Sequence, residues 1–114
     1  MYGYQHSKTA RVIRDLAAVY LARGKLEKAE KLFYESMAIA KKMQHPDEFK
    51  CLEFLGEIYI QKSKNSTKQS QKVAYKTKAC KNFIDALELV KKYLGQDSSY
   101  YTRINAKLTE TQGA

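Results

Sequence analysis

At 114 residues the chain is one domain in length, and with 44% hydrophobic and 29% charged residues it can bury a continuous but thin core. No apolar run approaches the roughly 18 residues of a membrane span, and residues 1–6 lack the apolar stretch of a signal peptide, so a non-secreted protein is expected. The net charge of +9 is local, because residues 62–81 hold seven lysines and no acid.

Residues 1–6, with Tyr2 and Tyr4, form a short lead-in. A first helix is expected from Ser7, a candidate N-cap, to Ala22, with Val12, Ile13, Leu16, Val19 and Tyr20 and partly Ala17 as its apolar face. Lys8, Arg11 and Arg14 precede the first acid, as in an amphipathic transit peptide, but they fall on this helix. Gly24 stops it, with Arg23 in the last turn, where a cation suits the helix dipole. A second helix over 26–43 has two apolar faces. Leu26, Ala29, Phe33, Ser36, Met37 and Ala40 make one; Leu32, Ile39 and Met43 make the other. Two faces require a partner helix on each side.

His45-Pro46-Asp47-Glu48 is a restart: proline suits the first helical turn, where its missing N–H is no loss, and two acids complement the positive helix end. The third helix carries Phe49, Leu52, Leu55, Gly56, Tyr59 and Ile60. Glycine there costs about 1 kcal/mol against alanine, and close approach of a neighbouring helix is the expected compensation. Residues 61–72 contain no apolar side chain, the composition of a loop or of disorder. A fourth helix is expected over 73–94, with Ala79, Phe83, Ala86, Leu87 and Val90 inward and Gly95 as its stop. Ser98 or Ser99 caps a fifth, with Ile104 and Leu108 inward.

Chemistry-bearing residues do not converge. Cys51 and Cys80 lie in predicted helices without CxxC spacing, and His6 and His45 stand in no ligand spacing with them, so free thiols, no metal and no cofactor are expected. His45 and Cys51 are six apart, on different sides of a helix. Glu53 and Glu57 share a face at four-residue spacing, the mark of a solvated or ligand-facing stripe. No phosphate loop or catalytic triad is present, and the chain reads as non-enzymatic. Tyr34, Tyr100 and Tyr101 are candidates for a contact surface.

The helices repeat a pattern. Ile13-x2-Leu16-Ala17-x2-Tyr20 followed by Ala29-x3-Phe33 recurs as Leu52-x2-Leu55-Gly56-x2-Tyr59 followed by Ala79-x3-Phe83. The chain thereby resembles the tetratricopeptide repeat family, whose pattern is Trp-x2-Leu-Gly-x2-Tyr…Ala-x3-Phe, over about residues 7–110. The 39 residues from Leu16 to Leu55, and the His45-Pro46-Asp47 restart, resemble the longer repeats of the kinesin light chain type. Tyr20 to Ala29 is nine residues but Tyr59 to Ala79 is twenty, an insertion in the second unit. The expected organisation is a lead-in at 1–6, a first repeat at 7–44, a second at 45–96 with a basic insertion at about 61–72, and a partial third repeat or capping helix at 97–114.

The resemblance implies an all-α fold of about five helices, antiparallel hairpins stacked as a short right-handed superhelix whose groove is lined by the first helix of each pair. Groove residues implied are Arg11, Arg14, Ala18 and Leu21, then Lys50, Glu53, Glu57 and Ile60, then Arg103, Lys107 and Glu110. Their mixed charge suggests a zwitterionic or amphipathic ligand. The Lys/Asn carboxylate clamp of some members is not expected, since Ala18 stands where Asn would and Glu57 adds repulsion. The lysines 62, 64, 68, 72, 76, 78 and 81 (Lys62, Lys64, Lys68, Lys72, Lys76, Lys78, Lys81) are read as a basic loop. It either solvates an insertion or docks on an acidic surface such as tubulin; with Tyr75 its one aromatic, nucleic acid is not the expected partner. A scaffold or adaptor binding a peptide or helix is the first expectation. A structural component of a cytoskeletal or ciliary assembly is the second, either one intracellular, in the cytoplasm, and able to stack on further repeats.

Overall fold

The computed structural model describes residues 2–113, with side chains from Lys8 onward. Five helices follow one another: α1 Tyr2–Ala22, α2 Leu26–Lys42, α3 Glu48–Asn65, α4 Gln69–Tyr93 and α5 Ser99–Gly113. No strand occurs among the described residues, so the fold is an all-α stack of helical hairpins. Its extents of 48 × 32 × 20 Å describe a slab about two helices thick.

The small residues of the repeated pattern set the packing. Ala17, Ala29, Phe33, Ala79 and Phe83 are completely buried. At Gly56 a Cβ would lie 2.6 Å from the Phe83 ring, which explains a glycine inside a helix: α4 approaches α3 too closely for a side chain. α3 touches all four other helices and feeds two clusters. Its Phe49, Leu52 and Tyr59 join Phe83, Val90, Ile104 and Leu108, while Cys51, Leu55 and Ile58 join Ala17, Ala29 and Phe33. Phe33 also stacks on Phe54, centroids 4.8 Å apart, and so ties the first hairpin to the second.

Helix ends follow local chemistry. Gly24 takes φ 75°, and the Lys25 amide donates back to the Tyr20 carbonyl at 2.9 Å. The same closure recurs after α2 with Gln44 at φ 53°, where the His45 amide donates to the Ala40 carbonyl at 2.8 Å. Ser98 Oγ accepts the Tyr100 amide at 3.1 Å and caps α5.

The structure departs from the pattern-based reading in three places. First, the backbone is helical from Tyr2, five residues before Ser7; Met1, and the side chains of Tyr2, Tyr4, His6 and Ser7, lie outside the described set. Second, Val12, Leu16 and Val19 are not core but 58%, 46% and 47% exposed. The buried side of α1 is the narrow Ala10–Ala17 strip, and none of the described helices covers its larger apolar stripe. Third, 61–72 is not a loop. α3 runs to Asn65 and α4 starts at Gln69, leaving 66–68 outside helix, so the insertion lengthens both arms of the second hairpin. Lysine and glutamine are good helix formers, and the stretch has no glycine or proline. Two contacts hold the extension: Tyr75 stacks on Tyr59 at 6.1 Å, and the buried Ser63 hydroxyl donates to the Lys72 carbonyl at 3.0 Å.

Candidate partner-binding site

Four of the groove residues named from the sequence, Glu53, Glu57, Arg103 and Lys107, are engaged with one another. The Glu53 side chain, on the middle helix, is only 6% exposed. Arg103 of α5 grips it with two hydrogen bonds, Nη2 to Oε1 at 2.6 Å and Nε to Oε2 at 2.9 Å. Lys107, one turn further on, adds a third at 2.6 Å and also bonds Glu57. Hydrogen bonding to Glu53 raises the Arg103 guanidinium above its usual range. Burial depresses the Lys107 ammonium, but the bonds to Glu53 and Glu57 outweigh it and leave it raised. This network clamps α5 onto α3, a structural duty that sequence spacing did not disclose.

At the other end, Arg14 Nη1 donates to Asp47 Oδ2 at 3.3 Å, and Lys50 reaches Asp47 at 3.5 Å. Lys50 and Arg103 also lie over the Tyr100 ring, at 5.8 and 4.9 Å from its centroid. Tyr100 in turn meets Phe49 edge-on at 5.1 Å. Ala18 and Leu21 are half-buried against the α1–α3 cluster. The zwitterionic groove expected from Arg14 and Glu53 is therefore neutralised internally; Arg11 stays exposed.

The basic set divides similarly. Lys62 is not a loop lysine: its Nζ bonds Glu30 at 2.5 Å and Glu27 at 2.9 Å. Tyr59 donates its hydroxyl proton to Glu30 at 2.7 Å, so Tyr34, 2.8 Å away, donates to Tyr59. Burial alone would raise the Glu30 carboxyl, but these donors hold it below its ordinary 4.5. Lys81 pairs with Asp85 at 3.2 Å, and Lys78 lies 5.4 Å from the Tyr59 ring centroid. Among the described residues, Lys64, Lys68, Lys72 and Lys76 have no carboxylate within ion-pair distance.

The two sets meet in one place. Glu57, Ile60 and Lys64 of α3, Lys76 of α4, and Lys107, Glu110 and Thr111 of α5 line an open cleft of about 310 Å³, with Ser63 at its base. Ile60 supplies an apolar wall, and Lys64 and Lys76 bring positive charge that no carboxylate of the described residues pairs at ion-pair distance, in a cleft that Glu110 also lines. Ser63 and Thr111 were missed by the sequence reading; extending the α3 periodicity past Ile60 would have placed Ser63 on this face.

His45 and Cys51 do line one small cavity of about 20 Å³, with Arg14, Ser36 and Asp47, contrary to the separation expected from their spacing. His45 precedes α3 instead of lying on it. Cys51 is fully buried, its Sγ donates to Ser36 at 3.5 Å, and burial pushes its thiol up, so no thiolate faces the imidazole. No group of three or more His, Cys, Asp or Glu among the described residues is arranged to hold a metal, and none of the described helices is long and apolar enough to cross a membrane.

Paired antiparallel helices stacked through small residues, with charged side chains lining the face of α3 and α5, define a helical-repeat protein. Residues 9–43, the first hairpin, match the family model for the tetratricopeptide repeat. No curated protein matches the chain. Tetratricopeptide repeats are non-catalytic modules of protein–protein interaction.

The ion pairs predict a two-sided pH profile. Asp47 is pushed up by burial, but Lys50, Arg14 and His45 hold it below its ordinary 3.8. With Glu30 it therefore contributes stability that is present above the unfolded-state values of 3.8 and 4.5 and is lost as pH falls through the lower folded-state values. Lys62, depressed by burial but raised further by Glu30 and Glu27, and Lys107 contribute below their ordinary 10.5, and that part is lost as pH rises past it. Thermal melts against pH should show a plateau with falling flanks at both ends. A melting temperature unchanged on acidification through the carboxylate range would contradict the assignment.

Proposed function

We propose that the chain is a non-catalytic interaction module that holds a peptide or helix of a partner protein on the face formed by α3 and α5. The observation supporting this reading is the cleft between α3, α4 and α5, where Lys64 and Lys76 remain unpaired beside Ile60 while the neighbouring Glu53, Arg103 and Lys107 satisfy each other. A carboxylate next to an aliphatic side chain is the ligand feature that suits it. Display of random short peptides on the intact protein should select acidic-aliphatic sequences. These should lose about tenfold in affinity on Lys64→Glu, a fully solvated substitution. Peptides indifferent to that change would place recognition elsewhere.

A second reading rests on Lys64, Lys68, Lys72 and Lys76, which cluster around the tip of the α3–α4 hairpin without acids. In it the chain is a cytoplasmic structural component of a cytoskeletal or ciliary assembly, and the tip touches an acidic surface such as tubulin tails. The bare Val12–Leu16–Val19 stripe then takes a neighbouring repeat. Co-sedimentation with microtubules separates the readings. It should be strong at low salt and absent in Lys68→Glu/Lys72→Glu if the tip is the site.

A further inference from the structure

α4 leaves one stripe uncovered beside the cleft, with which its groove shares Lys76 and Thr111. Val73, Cys80 and Ile84, with Thr77 beside them, fall at i, i+7 and i+11 on one side of the helix, and Val73 and Ile84 are 53% and 41% exposed. With Thr111 and Gln112 from the end of α5 they line an open groove of about 720 Å³. A stripe of that spacing beside a second helix is a seam that a third helix can enter with its own i, i+4, i+7 ridge. Between Val73 and Ile84 the helix rises ~16 Å, or about three turns of a docked helix.

Charge selects the occupant. Lys76 lines the groove without a carboxylate partner among the described residues, and Lys72, one turn earlier on α4, and Lys68, at the N-cap of α4, carry no ion pair either. The acid in the groove, Asp85, is already held by Lys81 at 3.2 Å. A second copy of the chain would bring +9 against +9, which opposes self-association. We propose that the α4–α5 groove docks an amphipathic helix of a partner protein. That helix places aliphatic side chains on Val73, Cys80 and Ile84 and glutamates or aspartates toward Lys76, Lys72 and Lys68.

The native thiols provide a readout. Cys51 is 1% exposed and burial pushes its thiol up, whereas Cys80 lines the groove, so iodoacetamide reports on Cys80. The probe is a stapled helical peptide of ~20 residues with leucines at i, i+4, i+7 and i+11 and glutamates on both flanks. It should slow alkylation of Cys80 and bind in fluorescence anisotropy with an affinity that falls as salt rises. Val73→Asp and Ile84→Asp, both at exposed positions and checked by circular dichroism, should each weaken binding about tenfold or more. Lys76→Glu should weaken it and flatten the salt dependence, while Lys64→Glu, in the cleft of the proposed function, should leave it unchanged. Three results overturn the proposal: equal binding of a peptide with lysines on its flanks, retained binding by both aspartate variants, or no protection of Cys80. A dimer in sedimentation that Ile84→Asp dissolves overturns it too, by assigning the groove to a second copy.

Discussion

Gly56→Ala is expected to destabilise the protein, although alanine is the better helix former by about 1 kcal/mol. The added Cβ would sit 2.6, 2.7 and 2.9 Å from Cε1, Cζ and Cδ1 of Phe83. Those atoms belong to a fully buried ring packed with Ala79, Ala86, Leu87 and Val90, not to the end of a flexible chain that can swing aside. Either the ring leaves its rotamer or α4 moves off α3, and overpacking of this kind costs about 1–3 kcal/mol, occasionally more. Set against the propensity gain, a net loss on the order of 1 kcal/mol is expected in urea denaturation. Phe83→Leu alone should lose stability through the cavity it opens. In Gly56→Ala/Phe83→Leu the new methyl enters part of that cavity, so the double variant should lose less than the two singles together. Ala17, at the equivalent position of the first hairpin, shows that a methyl is tolerated where the geometry leaves room. A Gly56→Ala protein stabilised by the propensity difference alone would show that α3 and α4 are not held at this distance.

The legible parts of the fold were those fixed by short-range spacing. Ala29-x3-Phe33 and Ala79-x3-Phe83 announced buried aromatic anchors, and both phenylalanines are wholly enclosed. Gly56 announced a close approach, and Phe83 makes it. Periodicity says which residues are apolar, but not whether another helix covers them. Val12, Leu16 and Val19 have a perfectly regular pattern and remain exposed, because none of the described helices covers that side of α1. The insertion was misread for a related reason. Its composition has nothing to bury, so it suggested a loop, yet Tyr59–Tyr75 stacking and the Ser63–Lys72 bond at its base are enough to hold propensity-favoured helix on either side of three residues.

The candidate site was legible as a set of residues and not as a state of charge. Glu57, Ile60 and Lys107, expected on a common face, do line one cleft. That Glu53 meets Arg103, fifty positions later in the chain, depends on how α5 settles on α3, and no periodicity carries that information. Lys62 followed the same course, from a loop cation to a half-buried partner of Glu30.

Removing the cations around Glu53 is expected to cost more than removing Glu53 itself. In Arg103→Leu/Lys107→Met the carboxylate, its side chain 6% exposed, is left in a desolvated place with no donor. Breaking a buried pair from that side costs about 3–5 kcal/mol. In Glu53→Gln the cations lose less: the Arg103 side chain is 51% exposed and rehydrates, and Lys107 keeps Glu57. About 1 kcal/mol is expected there, the net worth of hydrogen bonds whose remaining partners stay solvated. The double variant should also acquire a pH signature. An unpaired buried carboxylate has a folded-state value raised above its unfolded one. Its stabilising, protonated form is complete below the unfolded value and lost as pH rises through the folded value. The double variant should therefore gain stability as pH is lowered from neutral toward 5, over a range where the parent gains none. Should Glu53→Gln prove as damaging as the double variant, with no recovery in acid, the clamp between α3 and α5 would owe its strength to packing around Ile104 and Leu108. The ion network would then be a passenger on that contact.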